Sequence, residues 1–214
     1  MTATTSPRPT ACLALADGSI FYGMGFGATG ETVAELCFNT AMTGYQEIMT
    51  DPSYAGQMIT FTFPHIGNVG TNDEDIENAK PVALGCILRQ DITDPSSYRA
   101  QKHFNEWLAE HGRIGIAGVD TRHLTKRIRT EGAPNGVICH SPDGTFDIPA
   151  LIAKANDWPG LEGMDLAKDN SCTTGYDWDE ALWTREGGYG KVGNAKHHVV
   201  AIDYGVKRNI LRNL

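Results

Sequence analysis

The stretch from Leu36 to Asn72 constrains the fold more than any other part of the chain. It is rich in Gly, Thr, Asn, Pro and aromatic residues, yet Glu47 and Asp51 are its only formal charges. The sequences MTGY and DPSY predict turns, and the apolar run MITFTF that follows alternates with the period of a half-buried strand. The next segment, HIGNVGTN, contains the glycines and asparagines that tight loops need. Such a strand and loop either present polar groups at a site or simply turn a corner.

The residues before this stretch predict a β-hairpin. Its strands are ACLALA and SIFYGMGF, joined at Asp17-Gly18, a pair favoured in tight turns between strands. Gly25, Gly27 and Gly30 then spell G-x-G-x-x-G, which marks a dinucleotide site only where it closes a strand and opens a helix. Because the motif lies beside a hairpin, we interpret these glycines as relief for a twisted strand edge. A nucleotide-binding domain is the alternative.

After the central stretch, strand and helix patterns alternate. PVALGCILRQ, RIGIAGV and NGVICH predict strands. DPSSYRAQKHFNEWLAEHG predicts a helix capped by Ser96 or Ser97 and stopped by Gly112. TRHLTKRIRTEG predicts a second helix, capped by Asp120 or Thr121, and DIPALIAKAND predicts a third. The alternation indicates a layered α/β architecture.

The last part of the chain changes composition twice. Residues 159–196 are polar and weakly periodic, which predicts a connector with one irregular hairpin. VVAID, a turn at Tyr204-Gly205 and the helical pattern VKRNILRNL then match the first βα unit of a parallel α/β domain. A lone βα unit cannot bury both faces of its strand, so we expect a chain truncated one unit into a second domain. The expected organisation is a disordered lead over 1–10, a domain over 11–158, the connector, and the start of the second domain over 197–214.

Charge and hydropathy exclude several classes of partner. The 26 acidic and 18 basic residues give a net charge of −8, which argues against a nucleic-acid surface. The one basic concentration, from Arg122 to Arg129, has no interleaved aromatic residue and is interpreted as a solvated helix face. No apolar run approaches the ~20 residues that span a bilayer. The N-terminal residues lack the apolar core of a signal peptide. We therefore predict neither nucleic-acid nor membrane binding.

The thiols and imidazoles do not form a recognisable reactive motif. No C-x-x-C or H-E-x-x-H sequence is present, so no metal site is predicted. Cys139 and His140 are adjacent, but neighbours on a strand point to opposite faces and are not expected to form a dyad. Cys37 and Cys86 lie in apolar runs and are predicted to be core residues. The odd number and irregular spacing of cysteines indicate reduced thiols in a cytoplasm. The five are Cys12, Cys37, Cys86, Cys139 and Cys172.

The long motifs carry a family resemblance. FNTAMTGYQEIMTDPSYAGQMITFTFPHIGNVGTN resembles the hallmark segment of the small, glutamine-hydrolysing subunit of carbamoyl-phosphate synthase. The similarity continues through GVDTRHLTKRIRTEGAPNG, WPGLEGMDLAKD and VVAIDYGVKRNILRNL, which covers nearly the whole chain in order. The resemblance implies a three-layer β/β/α domain of the swivelling type, followed by the start of a class I glutamine amidotransferase domain.

The resemblance also implies a reaction and its partners. Family members are ligase subunits that hydrolyse L-glutamine with a Cys–His–Glu site and pass ammonia to the large subunit. There, with ATP and Mg, bicarbonate is converted to carbamoyl phosphate for arginine and pyrimidine biosynthesis. No cysteine here lies in the Gly-x-Cys-x-Gly elbow of such enzymes, so the catalytic residues are expected beyond Leu214. We therefore expect this chain alone to be an inactive, cofactor-free scaffold that docks on the large subunit in a cytoplasmic heterodimer.

One substrate contact is implied for a matching residue. In the family, the serine of the DPSY motif reaches the glutamine pocket, and in this sequence that serine is Ser53. Asp51-Pro52 fixes a turn there, and the Ser53 hydroxyl is able both to donate and to accept hydrogen bonds. The alternative is that Ser53 only caps its own turn.

Other polar groups remain open between two roles. An interdomain or intersubunit surface is one role for the HIGNVGTN loop, and satisfaction of the loop's own backbone is the other. Contact with the large subunit is one alternative for the MTGY turn and the residues after it. The residues concerned are His65, Asn68 and Asn72 in the loop, and Tyr45, Gln46 and Glu47 at the turn.

Arg122 is interpreted as structural, paired with Asp120 or with another segment. The competing functional hypothesis is a self-contained hydrolase that uses Cys139, His140 or His65. Ammonia release from glutamine by this chain alone would separate that hypothesis from the family reading.

Overall fold

The N-terminal hairpin forms as predicted. In the computed structural model, which describes residues 8–214, antiparallel strands β1 (Ala11–Leu15) and β2 (Ile20–Gly27) pair side by side. At the turn, Gly18 has a φ of 89°, and the Ser19 N–H donates to Asp17 Oδ1 at 2.9 Å. Residues 1–7 of the predicted disordered lead lie outside the described residues.

Seven strands close into a barrel. Along the wall the order is β1-β2-β6-β5-β4-β3-β7, and β7 pairs back with β1. The neighbours β3-β4, β4-β5 and β5-β6 are parallel, whereas the other pairs are antiparallel. The mixed α/β class predicted from the sequence is thus confirmed, with a closed sheet at its centre. The remaining barrel strands are β3 (Gly30–Asn39), β4 (Gln57–Phe61), β5 (Gly85–Ile87), β6 (Ile114–Ala117) and β7 (Asn135–His140).

Apolar side chains form one cluster inside the barrel and two outside it. Helix α3 (Thr121–Glu131) packs on the interior cluster. Helices α1 (Tyr45–Thr50) and α2 (Phe104–Glu110) cover the outer face of β4 and β5, and α4 (Ile148–Asp157) covers β1 and β7. Alternate residues of each strand enter the interior cluster, as the period of two requires. Among its buried members are Leu13, Leu15, Leu36, Met58, Ile87, Ile116, Leu124, Ile128 and Ile138.

Helices α3 and α4 begin where their sequences predict. Asp120 Oδ1 accepts the His123 N–H at 3.2 Å, and Asp147 Oδ1 accepts the Ala150 N–H at 3.1 Å. Each bond satisfies one of the amides that a helix start leaves without a partner. Gly132 ends α3 with a φ of 97°.

The predicted start of α2 at Ser96 or Ser97 is wrong. The helix begins at Phe104, and its cap is His103, whose Nδ1 accepts the Asn105 N–H at 3.2 Å. The preceding backbone is committed elsewhere: Gln101 N–H donates to the Thr71 carbonyl at 2.9 Å, and Ser96 N–H donates to Asn68. Because these amides pair with the loop before β5, they are not available to a helix.

The central stretch differs from its prediction in two respects. The chain bends at Met42 and Thr43, as expected for MTGY, but Gly44, with a φ of 82°, then leads directly into α1, a helix that was not predicted. Strand β4 was expected to be half-buried, but Thr60 is 0% exposed and its neighbours in the strand are buried too. The cause is the position of β4 between β3 and β5, with the barrel interior on one face and α1 and α2 on the other.

The G-x-G-x-x-G motif does not open a helix. The nucleotide-binding alternative required a strand followed by a helix at this motif, so the structure does not support it. Gly25 and Gly27 lie in β2, and Gly30 begins β3. A Cβ at Gly25 would fall on the ring of His140, and one at Gly27 would meet the Arg113 carbonyl. These glycines therefore allow close packing in the barrel, as the structural interpretation predicts.

The predicted irregular hairpin of the connector is present. It consists of β8 (Glu180–Thr184) and β9 (Gly188–Lys191), with a register shift between Glu180 and Trp183. A short helix, α5 (Leu166–Asn170), precedes it and was not predicted. Among residues 8–214, no helix is both long and apolar enough to cross a membrane.

The predicted strand VVAID does not form. Its apolar residues are exposed, Val200 at 79% and Ile202 at 77%, and the helix after it, α6 (Arg208–Arg212), has one and a half turns. A strand needs a neighbouring edge for its backbone groups, and the closed barrel offers none among the described residues.

Candidate functional site

The DPSY sequence forms a 3-10 turn that presents a serine hydroxyl to solvent. The turn, Pro52–Tyr54, follows α1 directly, and Asp51 Oδ1 accepts the Ser53 N–H at 2.9 Å. The cap is therefore Asp51, whereas Ser53 contributes only its backbone. The Ser53 side chain is exposed, and its hydroxyl bonds to nothing within residues 8–214.

The end of the chain lies against this turn. Lys207 Nζ lies 2.7 Å from Asp51 Oδ2. The ammonium group donates a hydrogen bond to this carboxylate, which raises the pKa of Lys207. Gly205, with a φ of 99°, lies close enough that an added Cβ would meet Asn170 at 3.0 Å and Pro52 at 3.3 Å. The DYG turn is fixed by Asp203 Oδ1, which accepts the N–H groups of Gly205 and Val206 at 2.8 Å. Ser53 thus stands at a junction between the barrel and residues 203–208.

A buried amide pair holds the loop that follows β4. Gln46 Nε2 donates to the Asn72 carbonyl at 2.6 Å, and Gln46 Oε1 accepts the Asn72 N–H at 3.0 Å. The Asn72 side chain accepts the N–H groups of Glu74 and Asp75 and donates to Asp75 Oδ2 at 2.8 Å. Of the two roles left open for Asn72, the structure shows satisfaction of the loop's own backbone.

Beside α1 lies a polar recess of about 210 Å³. Arg99 lines this recess and forms ion pairs with Glu74 at 2.9 Å and Asp75 at 2.7 Å. Glu47 faces the recess without an ion-pair partner in the described part of the chain, and burial raises the pKa of its carboxyl to about 7. Tyr45 and Gln46 are each only 2% exposed. The alternative in which these two side chains contact a partner subunit is therefore contradicted by their burial, and Glu47 is the accessible member of the three.

None of the thiols is activated by a neighbouring imidazole. Burial raises the pKa of Cys12 and of Cys37 to about 12, and it raises the pKa of Cys139 as well. Cys139 packs under α4, whereas His140 Nδ1 lies 2.8 Å from the Ala28 carbonyl oxygen on the other face of β7. The prediction that these neighbours form no dyad is confirmed.

The remaining thiols form no disulfide, and the possible metal ligands do not cluster among the described residues. Cys86 is fully buried, Cys172 is exposed, and all five cysteines are free thiols. Over residues 8–214, no three His, Cys, Asp or Glu side chains come together in a group that could hold a metal ion.

Two further sequence interpretations are resolved by the structure. Arg122 is exposed and does not pair with Asp120, which binds Arg89 at 3.0 Å instead. His65 is exposed beside Phe63, with a ring separation of 5.9 Å. The two imidazoles of the hydrolase hypothesis therefore have other neighbours: His140 lies against the Ala28 carbonyl oxygen and His65 against Phe63.

Sequence reasoning missed two residues that tie the end of the chain to the segment before Ser53. Lys207 pairs with Asp51, and Glu77 accepts the Asn209 N–H, but both lie far from Ser53 in sequence. No local pattern in the sequence links positions separated in this way.

Comparisons with known proteins agree on one family. The family model described as carbamoyl-phosphate synthase small chain, CPSase domain, matches residues 13–138. A carbamoyl phosphate synthase small chain from Ruegeria pomeroyi is 63% identical over 207 residues, covering 97% of this chain and 53% of that relative. The small chains of Zymomonas mobilis and Rhizobium meliloti are 60% and 58% identical, covering 94% and 99% of this chain and 54% and 55% of the relatives.

The chain spans about half the length of the curated relatives it matches. Among solved structures, an aminopeptidase from Aneurinibacillus sp. strain AM-1 aligns over 64% of this chain and 32% of its own, with a TM-score of 0.37 and 14% identity. That likeness is too low to bear on fold or function.

Proposed function

Since this chain belongs to the carbamoyl-phosphate synthase small chain family, we propose that it is the part of a glutamine amidotransferase subunit that shapes the glutamine pocket and docks on a large subunit. In the complete enzyme, a ligase, glutamine and water yield glutamate and ammonia. The ammonia reaches the large subunit, which uses bicarbonate and ATP, with Mg, to make carbamoyl phosphate. The complex is a cytoplasmic heterodimer that serves arginine and pyrimidine biosynthesis.

The observation that carries the proposal is the presentation of Ser53. Its hydroxyl is exposed and has no partner in the described structure, while Asp51 holds its backbone in place. A free hydroxyl on a backbone held in this way can donate to a carboxylate or carbonyl oxygen of glutamine, or accept from its amino group. In this role Ser53 binds the substrate and takes no part in the covalent step.

The covalent step is assigned to residues outside this chain. Attack on the glutamine amide needs a thiolate, and thiolates form where a cation, an imidazole or a helix N-terminus lowers the thiol pKa. Four thiols have raised pKa values instead: the buried Cys12, Cys86 and Cys139 and the half-buried Cys37. The Cys–His–Glu site belongs to the half of the relatives that this chain does not cover, beyond Leu214. The chain alone is accordingly inactive and needs no cofactor.

The proposed domain organisation follows the family. Residues 11–158 are the three-layer β/β/α domain of the swivelling type, the opposite walls of the barrel being its β layers and the outer helices its third layer. Residues 159–196 are the connector, and 197–214 begin the amidotransferase domain. Exposure of Val199, Val200 and Ile202 supports this assignment, because further strands would cover them.

Substitution of Ser53 tests the proposal in a chain expressed to the length of its relatives and assembled with the large subunit. Ser53→Ala removes one hydrogen bond to substrate, about 1–1.5 kcal/mol, so the KM for glutamine should rise about tenfold. Synthesis driven by added ammonia should be unchanged. The matched control is Ser96→Ala, because the same DPS triplet recurs in the exposed loop at Asp94-Pro95-Ser96. An unchanged KM in Ser53→Ala would refute the substrate contact.

A second assay addresses the competing hydrolase hypothesis. Purified chain of 214 residues should release no ammonia from glutamine. Release that disappears on Cys139→Ser would establish a self-contained enzyme and overturn the assignment of catalysis to residues elsewhere.

A further inference from the structure

Glu77 contacts both sides of the junction at which Ser53 stands. Its backbone N–H donates to Thr50 Oγ1 at 2.9 Å, and Thr50 is the last residue of α1, immediately before Asp51. Its carbonyl accepts the Arg208 N–H at 3.2 Å, and its Oε2 accepts the Asn209 N–H at 2.8 Å. One residue therefore bonds to the segment that leads into the Ser53 turn and to the first turn of α6.

On the α1 side, the hydrogen bond from the Glu77 N–H satisfies the acceptor of the buried Thr50 hydroxyl. Thr50 is 1% exposed, and its Oγ1 also lies 3.0 Å from the carbonyl oxygens of Gln46 and Glu47. The hydroxyl donates into α1 and accepts from Glu77, so both functions of the group are satisfied. Such a buried bond holds the backbone at the end of α1 in one place.

On the α6 side, Glu77 supplies a cap that the helix itself lacks. Lys207 is the residue before α6, and its side chain makes no capping hydrogen bond. The amides of Arg208 and Asn209 would otherwise be two of the unpaired donors of a helix start. The Glu77 carboxylate also suits the positive end of a helix. Because Lys207 is paired with Asp51 at 2.7 Å, fixing the start of α6 fixes the position of that pair.

We propose that Glu77 is a positioning residue for glutamine binding, acting through Asp51 and Lys207 on the Ser53 turn. The inference rests on the proposed function, since it concerns the same pocket. Glu77 does not touch the substrate; it sets the distance between the barrel, which provides Ser53, and residues 203–214. Without its carboxylate, the first turn of α6 loses the bond to the Asn209 N–H and keeps only the one from Arg208, so the junction loosens.

The test uses a full-length chain with its large subunit and compares three variants. Glu77→Ala should raise the KM for glutamine about fivefold while kcat stays within twofold. Glu77→Gln keeps an oxygen that accepts the Asn209 N–H, so it should restore the KM to within twofold of the unsubstituted protein. Asp73→Ala, in the same loop but exposed, is the matched control and should change neither parameter. Hydrogen exchange of the Asn209 amide, which bonds to the Glu77 side chain, should be faster in Glu77→Ala only.

The outcomes separate this inference from the proposal on which it rests. If Ser53→Ala leaves the KM for glutamine unchanged, the substrate contact fails and the role of Glu77 fails with it. If Ser53→Ala raises the KM but Glu77→Ala does not, the role of Glu77 alone is refuted. A parallel fall in ammonia-driven synthesis would also refute it, because that result indicates general loss of folding.

A second variant reaches the same junction from α1, should Glu77→Ala not fold. Thr50→Val removes the acceptor of the Glu77 N–H and should raise the KM in the same way. The effects of the two substitutions should not add in the double variant, since both break one chain of contacts. Additive effects would show that Thr50 and Glu77 act independently.

Discussion

Thr60 offers the sharpest test of the barrel. It lies in β4 opposite Phe38 of β3 and Ile87 of β5, on the interior side with Met58. It is 0% exposed, and its Oγ1 has no hydrogen-bond partner within residues 8–214. A buried hydroxyl without a partner costs about 1–3 kcal/mol. Thr60→Val keeps the shape, removes this cost and adds a buried methyl worth about 0.8 kcal/mol.

We therefore expect Thr60→Val to raise the free energy of unfolding by about 1–2 kcal/mol. This is less than the sum of the two contributions, because the packed barrel interior must accommodate a methyl group in place of the hydroxyl. For a chain of this size, that corresponds to a Tm increase of about 3–6 °C. Urea unfolding followed by circular dichroism measures the first quantity, and calorimetry measures the second. A gain in stability on removal of a polar group is unusual and hence diagnostic.

The matched control is Thr50→Val. Thr50 is equally buried, but its hydroxyl accepts the Glu77 N–H at 2.9 Å, so this substitution should lower the free energy of unfolding by about 1–2 kcal/mol. Opposite signs for the two variants are the expected result. Destabilisation of similar size in both would mean that the Thr60 hydroxyl is bonded, and the reasoning on the barrel interior would be wrong.

Three further predictions concern packing, titration and thiol reactivity. Gly25→Ala places a methyl group on the ring of His140, which must leave its position 2.8 Å from the Ala28 carbonyl oxygen. The cost is about 2–3 kcal/mol, seen by thermal scanning as a Tm decrease of about 4–10 °C, and a Tm within 1 °C of the unsubstituted chain would contradict it. The pKa of the Glu47 carboxyl is raised from 4.5 to about 7 in the folded chain. Between about pH 5 and pH 7 the folded chain therefore binds a proton that the unfolded chain has lost, so the free energy of unfolding falls as the pH rises through this range. At pH 8, Glu47→Gln should consequently raise the free energy of unfolding by about 1 kcal/mol after solvent screening, which corresponds to a Tm increase of about 2–4 °C. The increase should disappear towards pH 5, and an increase that does not depend on pH would disprove the titration. Iodoacetamide should modify Cys172 within minutes, and the buried Cys12, Cys86 and Cys139 only after unfolding, as counted by mass spectrometry. The half-buried Cys37 should react slowly because its pKa is raised to about 12, so a second rapid adduct would contradict the prediction.

Elements defined by nearby residues were predictable from the sequence. The hairpin turn depends on Asp17 and Gly18, and the starts of α3 and α4 depend on Asp120 and Asp147, so each signal lies within a few residues of the structure it forms. The prediction for α2 failed because the backbone near Ser96 pairs with a loop some 28 residues earlier, a choice that no local signal announces. Local chemistry decides caps and turns, whereas tertiary pairing decides which of several compatible caps is used.

Burial was predictable only where one strand face meets solvent. In β4 the alternation of Ile59 and Thr60 indicated one polar face, but both faces are covered because the barrel interior lies on one side and α1 and α2 lie on the other. VVAID failed for the opposite reason, since a β-branched run forms a strand only beside a partner strand.

The candidate site divides in the same way. Ser53 was identified through the family motif, and its turn follows from Asp51 and Pro52 in the local sequence. The contacts of Lys207 and Glu77 depend on how the end of the chain returns to the barrel. That return is a property of the whole fold, so only the structure reveals it.

The place of β7 in the wall has a consequence for synthesis on the ribosome. It is the last barrel strand to be made, yet it lies between β1 and β3, which are among the first. At about 5–20 residues per second, β1 and β3 wait on the order of 5–20 s for the strand that joins them. During that interval both present unpaired backbone edges, to which a nascent neighbour could add. A chaperone that covers β-edges on emerging chains would protect this protein until His140 has left the exit tunnel.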